Sequence, residues 1–249
     1  MQERGITMQG ESIKTKAIVV RSSQSGENNR VLTLLSPDLG KLTVIAKGVR
    51  SLRHKSMGSV QFLCYSEFVI KKIKDGLYSL VSAELIDGFF PISESGELLS
   101  YASYFASLCE MCVQPFSDSS EEVRLLLNTL HVMIKRKDHP ELMKAVFEIK
   151  LCELCGIMPF FDGFSQCGEV SAYFNVEDGE MCCSAHKSAS SIALAQDAVL
   201  LAQYISSSSL KDALFANCEN DRAYPLRRVL EPFIAYHLGN LPISLDYLH

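Results

Sequence analysis

The positively charged residues that follow Asp38 form the most distinctive chemical pattern in this sequence. No Asp or Glu occurs between Asp38 and Glu67, whereas Lys and Arg occur five times, as Lys41, Lys47, Arg50, Arg53 and Lys55. The stretch 46–60 (AKGVRSLRHKSMGSV) is polar and interrupted by Gly and Ser, which predicts a loop between two strands. Cations without compensating acids bind phosphate backbones, because each neutralised phosphate releases condensed counterions. We interpret the segment as a sequence-independent nucleic-acid contact; a solvated loop without a partner is the alternative.

Further cations on the predicted strands extend this candidate site: Lys14, Lys16, Arg21, Arg30, Lys71, Lys72 and Lys74. Residues 1–90 contain 13 basic and 8 acidic side chains, a net charge of +5, whereas the remainder carries −10 within a total of −5. A basic first third on an acidic body favours a module that binds a polyanion, although chance segregation of surface charge gives the same composition. The strand aromatics Phe62, Tyr65, Phe68 and Tyr78 are predicted to fill a core, which leaves backbone contacts without base readout.

Four residues in an irregular, glycine-containing segment are candidate ligands of one structural zinc ion: Cys167, Cys182, Cys183 and His186. Cys183 and His186 have the spacing of half a zinc site, and a structural site needs four ligands. Cys182 adjoins Cys183, and neighbouring residues rarely both face one ion. Two other Cys-x-x-Cys pairs, 109/112 and 152/155, lie in helical patterns, where buried small hydrophobic residues explain the same spacing. With nine cysteines in all, reduced buried thiols remain the alternative to a metal.

Sequence signatures of enzymes and of membrane insertion are missing. The chain contains no GxxxxGK[ST], GxSxG, HExxH or strand-linked GxGxxG motif, so we expect neither catalysis nor a bound nucleotide. No apolar run approaches the ~20 residues of a membrane span, and the first residues lack an apolar signal core. We therefore expect a cytoplasmic protein that does not contact membranes.

The elements that must position these residues change type near residue 90. Strands are predicted at 14–21, 31–35, 41–46, 60–73 and 77–85, with turn signals at 36–40 and at Asp75-Gly76. Five strands in about 75 residues predict a closed barrel of the OB type, with an SH3-like barrel as the alternative. Helical periodicity follows at 97–113, 121–137, 141–155, 191–205, 209–216 and 225–238, interrupted by a Cys/His-containing insertion at about 160–187. The predicted fold class is α+β, with an OB domain at 1–90 and a helical domain at 91–249.

Residues 15–51 (TKAIVVRSSQSGENNRVLTLLSPDLGKLTVIAKGVRS) resemble the opening of the bacterial RecO family. That family's G-K-x-x-x-x-A-K-G-x-R segment is present here as Gly40-Lys41, Ala46-Lys47-Gly48 and Arg50. The stretch 147–159 (FEIKLCELCGIMP) is similar to the helix before the family's zinc-binding insertion. The insertion itself departs from the family, whose members often carry two Cys-x-x-Cys pairs. The first pair is reduced here to Phe164-x-x-Cys167, and the second is replaced by Cys183-x-x-His186 or a shifted Cys182.

The resemblance implies a nucleoid-associated protein that binds single- and double-stranded DNA and anneals complementary strands. It also implies that the protein acts with RecR to load the recombinase RecA onto single strands coated by the single-strand-binding protein, SSB. Candidate contacts for the acidic SSB tail are Arg227 and Arg228, near Leu230 and Phe233, or the cluster Lys135, Arg136 and Lys137. Three other classes remain open: an RNA-binding OB protein, a protein-interaction scaffold, and a metal-dependent enzyme built on Cys167, Cys183 and His186.

Overall fold

The computed structural model describes residues 12–49, 56–74, 76–161, 172–239 and 241. Contacts divide the chain into two compact units. The first unit comprises residues 1–94 and 109–124, and the second comprises residues 95–108 and 125–249. The first unit therefore takes in a stretch of chain that lies well beyond the predicted domain boundary at residue 90.

The first unit contains a closed five-stranded barrel with the strand order β1-β2-β3-β5-β4. Its strands are β1 (Ser12–Ser25), β2 (Asn29–Ser36), β3 (Gly40–Ala46), β4 (Tyr65–Lys74) and β5 (Leu77–Asp87). All neighbouring strands are antiparallel except β3 and β5, which run parallel. Alternate residues point inward and pack a core that includes Ala17, Leu32, Leu34, Val44 and Ile70. The barrel confirms the predicted fold class, with the strand count of an OB fold.

A segment from beyond the barrel completes the edge of β3. We call residues 113–119 the sheet-edge segment. Along β3, strand β5 pairs with Thr43 to Ile45, whereas the start of β3 pairs with the sheet-edge segment. The Lys41 N–H donates to the Gln114 carbonyl (3.2 Å), and the Phe116 N–H donates to the Leu39 carbonyl (3.0 Å). The sheet-edge segment thus extends the pairing of this edge to the start of β3, before the residues that β5 takes.

The second unit is built mainly from helices. The α-helices of the described residues are α1 (Phe90–Ser93), α2 (Gly96–Cys112), α3 (Ser120–Lys135), α4 (Pro140–Leu154), α5 (Gln196–Ser207), α6 (Leu210–Leu214) and α7 (Asn220–Leu238). A small sheet of order β7-β6-β8 follows α4 and consists of β6 (Tyr173–Asn175), β7 (Glu180–Cys182) and β8 (Ser191–Ala193). Stacked Phe105 and Phe147, with ring centroids 4.5 Å apart, lie in the helical core. Within the described ranges, every helix is too short or too polar to cross a membrane.

Candidate nucleic-acid interface

Two of the predicted DNA-binding cations lie side by side at one end of the barrel. Arg30 pairs with Ala46 across the β2–β3 ladder, and Lys47 follows Ala46 directly. The Gly48 N–H donates to the Asn29 side-chain oxygen (2.9 Å), which fixes the chain as it leaves β3. The Lys47 side chain is exposed, whereas half-buried Arg30 donates to Ser22 Oγ (2.8 Å). Three cations of the predicted loop lie outside the described residues, so their DNA contacts remain predictions: Arg50, Arg53 and Lys55.

A second group of exposed cations flanks the β4–β5 hairpin and consists of Lys71, Lys72 and Lys74. In the strand register Lys71 lies opposite Ser79, and Ser79 lies opposite Ile45 of β3. Lys47 is two residues beyond Ile45, so a single strand separates the two cation groups on the barrel. The sequence predicted both groups, but only the pairing of β3 with β5 shows that they are neighbours.

Arg21 and Lys41 share a partner that sequence reasoning missed. Arg21 Nε and Nη2 contact Glu110 Oε2 at 3.1 and 3.0 Å, and Lys41 Nζ donates to the Glu110 backbone carbonyl (2.8 Å). The Arg21 side chain is 65% exposed and that of Glu110 is 15% exposed. A phosphate at this position therefore has to compete with a carboxylate for Arg21. No local sequence signal marks Glu110, because it follows Arg21 by 89 residues.

Aromatic side chains of the strands mostly serve the barrel core. Phe68 and Tyr78 are buried in the hydrophobic cluster, as predicted, and Phe62 and Tyr65 are half-buried. The most exposed phenylalanine of the described residues is instead Phe116, in the sheet-edge segment, with 62% of its surface accessible. The sequence analysis did not select it, because a single Phe between polar residues has no periodic signal.

Cys183 and His186 come together as the Cys-x-x-His spacing predicts. Cys183 Sγ lies 3.1 Å from His186 Nδ1, whereas Cys182 Sγ lies 3.6 Å from Ser191 Oγ. Cys167 lies outside the described residues. Across the described ranges, no three His, Cys, Asp or Glu residues are grouped so that they could hold a metal ion. Of the candidate zinc ligands in the described residues, only Cys183 and His186 therefore lie together, whereas a structural zinc needs four ligands.

The other cysteine pairs belong to helices, as their spacing predicts. Cys109 in α2 and Cys152 in α4 are fully buried. Burial raises the pKa of the Cys152 thiol well above its usual value, and the Glu148 carboxylate adds to the rise. Since a metal ligand must be a thiolate, this environment disfavours metal binding and favours a small hydrophobic role.

Arg227, one of the residues predicted to bind the SSB tail, belongs to a buried network of charged groups. Its exposure is 6%, and its Nε donates to Glu231 Oε1 (2.9 Å) while Nη1 lies 3.5 Å from Glu141 Oε1. In the same network Lys144 Nζ contacts Glu148 (2.6 Å) and Glu231 (3.0 Å). A side chain held in this way is not offered to a peptide, whereas its neighbour Arg228 is exposed.

An apolar cavity of about 390 Å³ lies between α5 and the start of α7, within the second unit. Its lining residues are Asp197, Leu200, Leu201, Tyr204, Ala216, Asn217, Cys218 and Arg222. Burial raises the pKa of Cys218, whereas the positive charges of Arg222 and Arg136 oppose that rise. Of these two cations only Arg222 lines the cavity, and Asp197 brings a negative charge to the same lining. Arg136 is additionally fixed, because its Nη1 donates to the Leu214 carbonyl (2.8 Å).

Comparison with known proteins identifies the family to which this architecture belongs. The family model described as "Recombination protein O N terminal" matches residues 8–89, and "Recombination protein O C terminal" matches residues 93–245. The chain belongs to the RecO family. The two RecO matches cover the barrel strands and the helical region respectively and meet near residue 90.

Individual RecO relatives match over most of their length. A "DNA repair protein RecO" of Caldicellulosiruptor bescii is 33% identical over 94% of this chain and 97% of its own. The protein of the same description from Alkaliphilus metalliredigens is 30% identical over 92% and 95% respectively. A third, from Acetivibrio thermocellus, is 32% identical over 66% of each chain. These matches place the chain among proteins of recombination and DNA repair.

Proposed function

We propose that this RecO-family chain binds DNA through the outer surface of its barrel and anneals complementary strands. The observation that carries the proposal is the register that places Lys71, Ser79 and Ile45 in one row, with Lys47 just beyond. Cation groups separated by a single strand can contact the phosphates of one backbone without reading bases, which suits a protein that must accept any sequence. Annealing requires screened repulsion between two backbones and no nucleophile, so we propose a non-catalytic role.

Titration of a fluorescent single-stranded oligonucleotide with the full-length protein, at about 50 and about 200 mM salt, tests the DNA contact. We expect affinity to fall steeply with salt, and the protein to accelerate annealing without ATP. Lys47→Glu and Lys71→Glu should each weaken binding and flatten the salt dependence. The matched control is Lys137→Glu, which makes the same charge change at an exposed position of the second unit. Absence of binding at the lower salt would contradict the proposal, and a clear preference for RNA of the same sequence would favour an RNA-binding role.

We further propose that the chain acts with RecR at the cytoplasmic nucleoid to load RecA onto SSB-coated strands. The helical unit would hold the SSB tail, and the cavity between α5 and α7 supports this role. Leu200 and Tyr204 at the cavity are 56% and 44% exposed, and Arg222 adds a cation. An acidic peptide with apolar residues could pair one carboxylate with Arg222 and pack its apolar side chains on Leu200 and Tyr204, with Asp197 as the one acidic residue of the lining.

Binding of a fluorescent SSB-tail peptide to charge-reversal variants tests which cations hold it. Arg222→Glu should abolish binding, whereas Arg228→Glu and Lys135→Glu serve as matched controls for the two other predicted clusters. Residues 222 and 228 differ by about 240° around a helix, so they face different sides. A peptide that ignores Arg222→Glu and responds to either control would move the site to that cluster. RecA filament formation on SSB-coated DNA, with and without RecR, tests the loading role.

The structural zinc remains a proposal that depends on Cys167. Cys183 and His186 would supply two ligands, and Cys167 the third. The zinc content of the purified chain, measured by mass spectrometry, should be one ion per chain and should fall in Cys183→Ser. Cys182→Ser is the matched control and should retain the metal, because Cys182 contacts Ser191 instead of His186. A wild-type protein that is purified with zinc present and contains none would contradict the proposal.

A further inference from the structure

Phe116 combines two unfavourable features at one residue of the sheet-edge segment. Its side chain is 62% exposed, and its backbone has a φ of 62°, in the left-handed region. A non-glycine residue in that region costs roughly 1–2 kcal/mol, and glycine would adopt it freely. The backbone at this position would thus be served better by glycine. The backbone conformation therefore does not explain why this residue is a phenylalanine.

The segment that carries Phe116 is held firmly on both sides. The Phe116 N–H donates to the Leu39 carbonyl (3.0 Å), and the preceding Pro115 forms a bridge with Gly40. On the other side, the Ser119 N–H donates to the Pro37 carbonyl (2.9 Å), and Ser119 Oγ donates to the Ser36 carbonyl (2.8 Å). The ring is therefore presented from a fixed backbone, which lowers the entropic cost of binding against it.

The position of Phe116 along β3 places it close to predicted DNA-binding cations. Phe116 bonds to Leu39, and Lys41 lies two residues farther along the chain, bonded to Gln114. Beyond Leu42 the same edge of β3 is taken by the start of β5, where Leu77 pairs with both Thr43 and Lys74. Along this edge of β3, the segment that carries the exposed ring is thus followed by β5, and Lys74 lies on the far side of β5. Proteins that bind single-stranded nucleic acid combine these two elements, with cations for the backbone and aromatic rings for the bases.

We propose that Phe116 stacks on an unpaired base of single-stranded DNA whose backbone lies along the barrel cations. This inference rests on the DNA binding proposed above and adds a determinant of strand preference. Duplex bases are already stacked on their neighbours and do not offer a free face to the ring. Phe116 therefore favours single strands, whereas the cations serve single strands and duplex alike.

A tryptophan at position 116 reports the stacking directly, because the chain contains no Trp. Titration of full-length Phe116→Trp with oligo-dT should quench its fluorescence, and a duplex at the same fractional saturation should not. The matched control is Phe90→Trp, at a phenylalanine that is 55% exposed on α1. Its fluorescence should be unaffected by either DNA. Lack of quenching at position 116 while anisotropy shows bound oligo-dT would overturn the stacking proposal.

Removal of the ring tests the strand preference. Phe116→Ala and Phe116→Gly should bind single strands roughly 5- to 100-fold more weakly, the range expected for one lost base-stacking contact. The salt dependence and the duplex affinity should be unchanged, because no cation is removed. Phe116→Gly should also unfold at a higher urea concentration than Phe116→Ala, since glycine relieves the backbone strain. Equal losses for single strands and duplex, or no loss, would reject the role of Phe116. Failure of the wild-type protein to bind DNA would reject the DNA-binding proposal as well.

Discussion

At the scale of single residues, two cations of the candidate interface, Arg21 and Lys41, are already bonded to one residue, Glu110. Arg21 is paired with the side chain of Glu110, and Lys41 with its backbone carbonyl. An exposed ion pair of this kind contributes only about 0–1 kcal/mol to the stability of the fold. We therefore expect the Arg21–Glu110 pair to affect DNA binding more than it affects stability. Glu110 holds Arg21 in one position and at the same time offsets its charge. We therefore expect the carboxylate to lower the affinity of Arg21 for a phosphate.

Neutralising Glu110 should strengthen DNA binding. In Glu110→Gln, Arg21 becomes available to a phosphate, so affinity should rise and the salt dependence should steepen by about the contribution of one contact. The measurement is anisotropy across a series of salt concentrations. The same substitution in an Arg21→Ala background controls for the general loss of a negative charge. If the gain is equally large in that background, Glu110 does not act through Arg21.

At the scale of elements, the junction between the β2–β3 turn and the sheet-edge segment depends on one glycine. Gly40 has a φ of +65°, and a Cβ atom at this position would lie 2.1 Å from the Gln114 carbonyl oxygen. Gly48 has nearly the same φ, +66°, but a Cβ atom added there would have no neighbour within 4 Å. The two glycines thus have the same backbone conformation, but only Gly40 has a second stretch of backbone packed against it.

Substitution of the two glycines by alanine separates these causes. Gly48→Ala should lower the free energy of unfolding by about 1 kcal/mol, the cost of the left-handed conformation. Gly40→Ala should cost at least about 2 kcal/mol more, because the sheet-edge segment must move away from β3. Urea unfolding of the full-length variants measures both values. Equal stabilities would show that the segment is not packed as closely as the structure indicates.

Helix α4 carries a carboxylic acid in a fully buried position. Burial raises the pKa of Glu148 above its usual value of 4.5, although the charge of Lys144 partly opposes the rise. The folded state therefore holds this proton more strongly than the unfolded state. The stabilisation is present below pH 4.5 and is lost as the pH rises through the raised pKa.

Glu148→Gln removes this titration while preserving the shape of the side chain. We expect the difference in free energy of unfolding, wild type minus variant, to fall as the pH is raised above about 4.5. Its slope should not exceed about 1.4 kcal/mol per pH unit, the limit for one proton. Urea unfolding at several pH values measures the difference. A difference that increases with pH would show that the ion pair with Lys144 outweighs the burial of Glu148.

The order of elements was predictable from local pattern, but several boundaries were not. The predicted strand from residue 60 begins only at Tyr65, because residues 58–60 form a 3₁₀ turn and Leu63 has a positive φ. The helix predicted from residue 191 begins at Gln196, since residues 191–193 pair with β6 instead. Helix α7 was predicted to begin at Pro225. It begins at Asn220, so that Pro225 lies inside it. Each difference arises from tertiary pairing or packing that no short window of sequence contains.

In the candidate site, too, some residues could be identified from the local sequence and others only from long-range contacts. Lys47 was predictable as a candidate because it belongs to the run without acids between Asp38 and Glu67, and the lysines of the β4–β5 hairpin because they are clustered at residues 71–74. Glu110 and Phe116 were not, because each reaches the barrel from beyond its last strand. Their roles follow only from long-range contacts with Arg21 and Leu39.

At the scale of the whole molecule, the two units are proposed to hold two different ligands. The chain has a net charge of −5, so any attraction to DNA must come from the local excess of cations in its first third. The cavity of the second unit is lined by residues of α5, of the stretch 216–218 and of α7, and its lining includes none of the barrel cations. Effects on the two ligands should therefore be separable.

Charge reversal in one unit should leave the ligand of the other unaffected. Lys47→Glu should weaken DNA binding and retain the affinity for the SSB-tail peptide, whereas Arg222→Glu should do the reverse. Anisotropy with labelled DNA and labelled peptide, on the same protein preparations, measures both. If either variant loses affinity for both ligands while its thermal unfolding is unchanged, the two sites are not independent.

The origin of the sheet-edge segment has a consequence for synthesis on the ribosome. The last barrel strand ends at Asp87, but the residues that pair with the start of β3 are 114–116. At about 5–20 residues per second, a nascent chain needs roughly 1.5–6 s to translate the intervening ~30 residues. During that interval the edge of β3 at residues 40–42 lacks its partner, and an open strand edge invites pairing with other chains. Translation speed between these two points, and not the stability of the finished protein, then sets how much of the nascent barrel is exposed to misassembly.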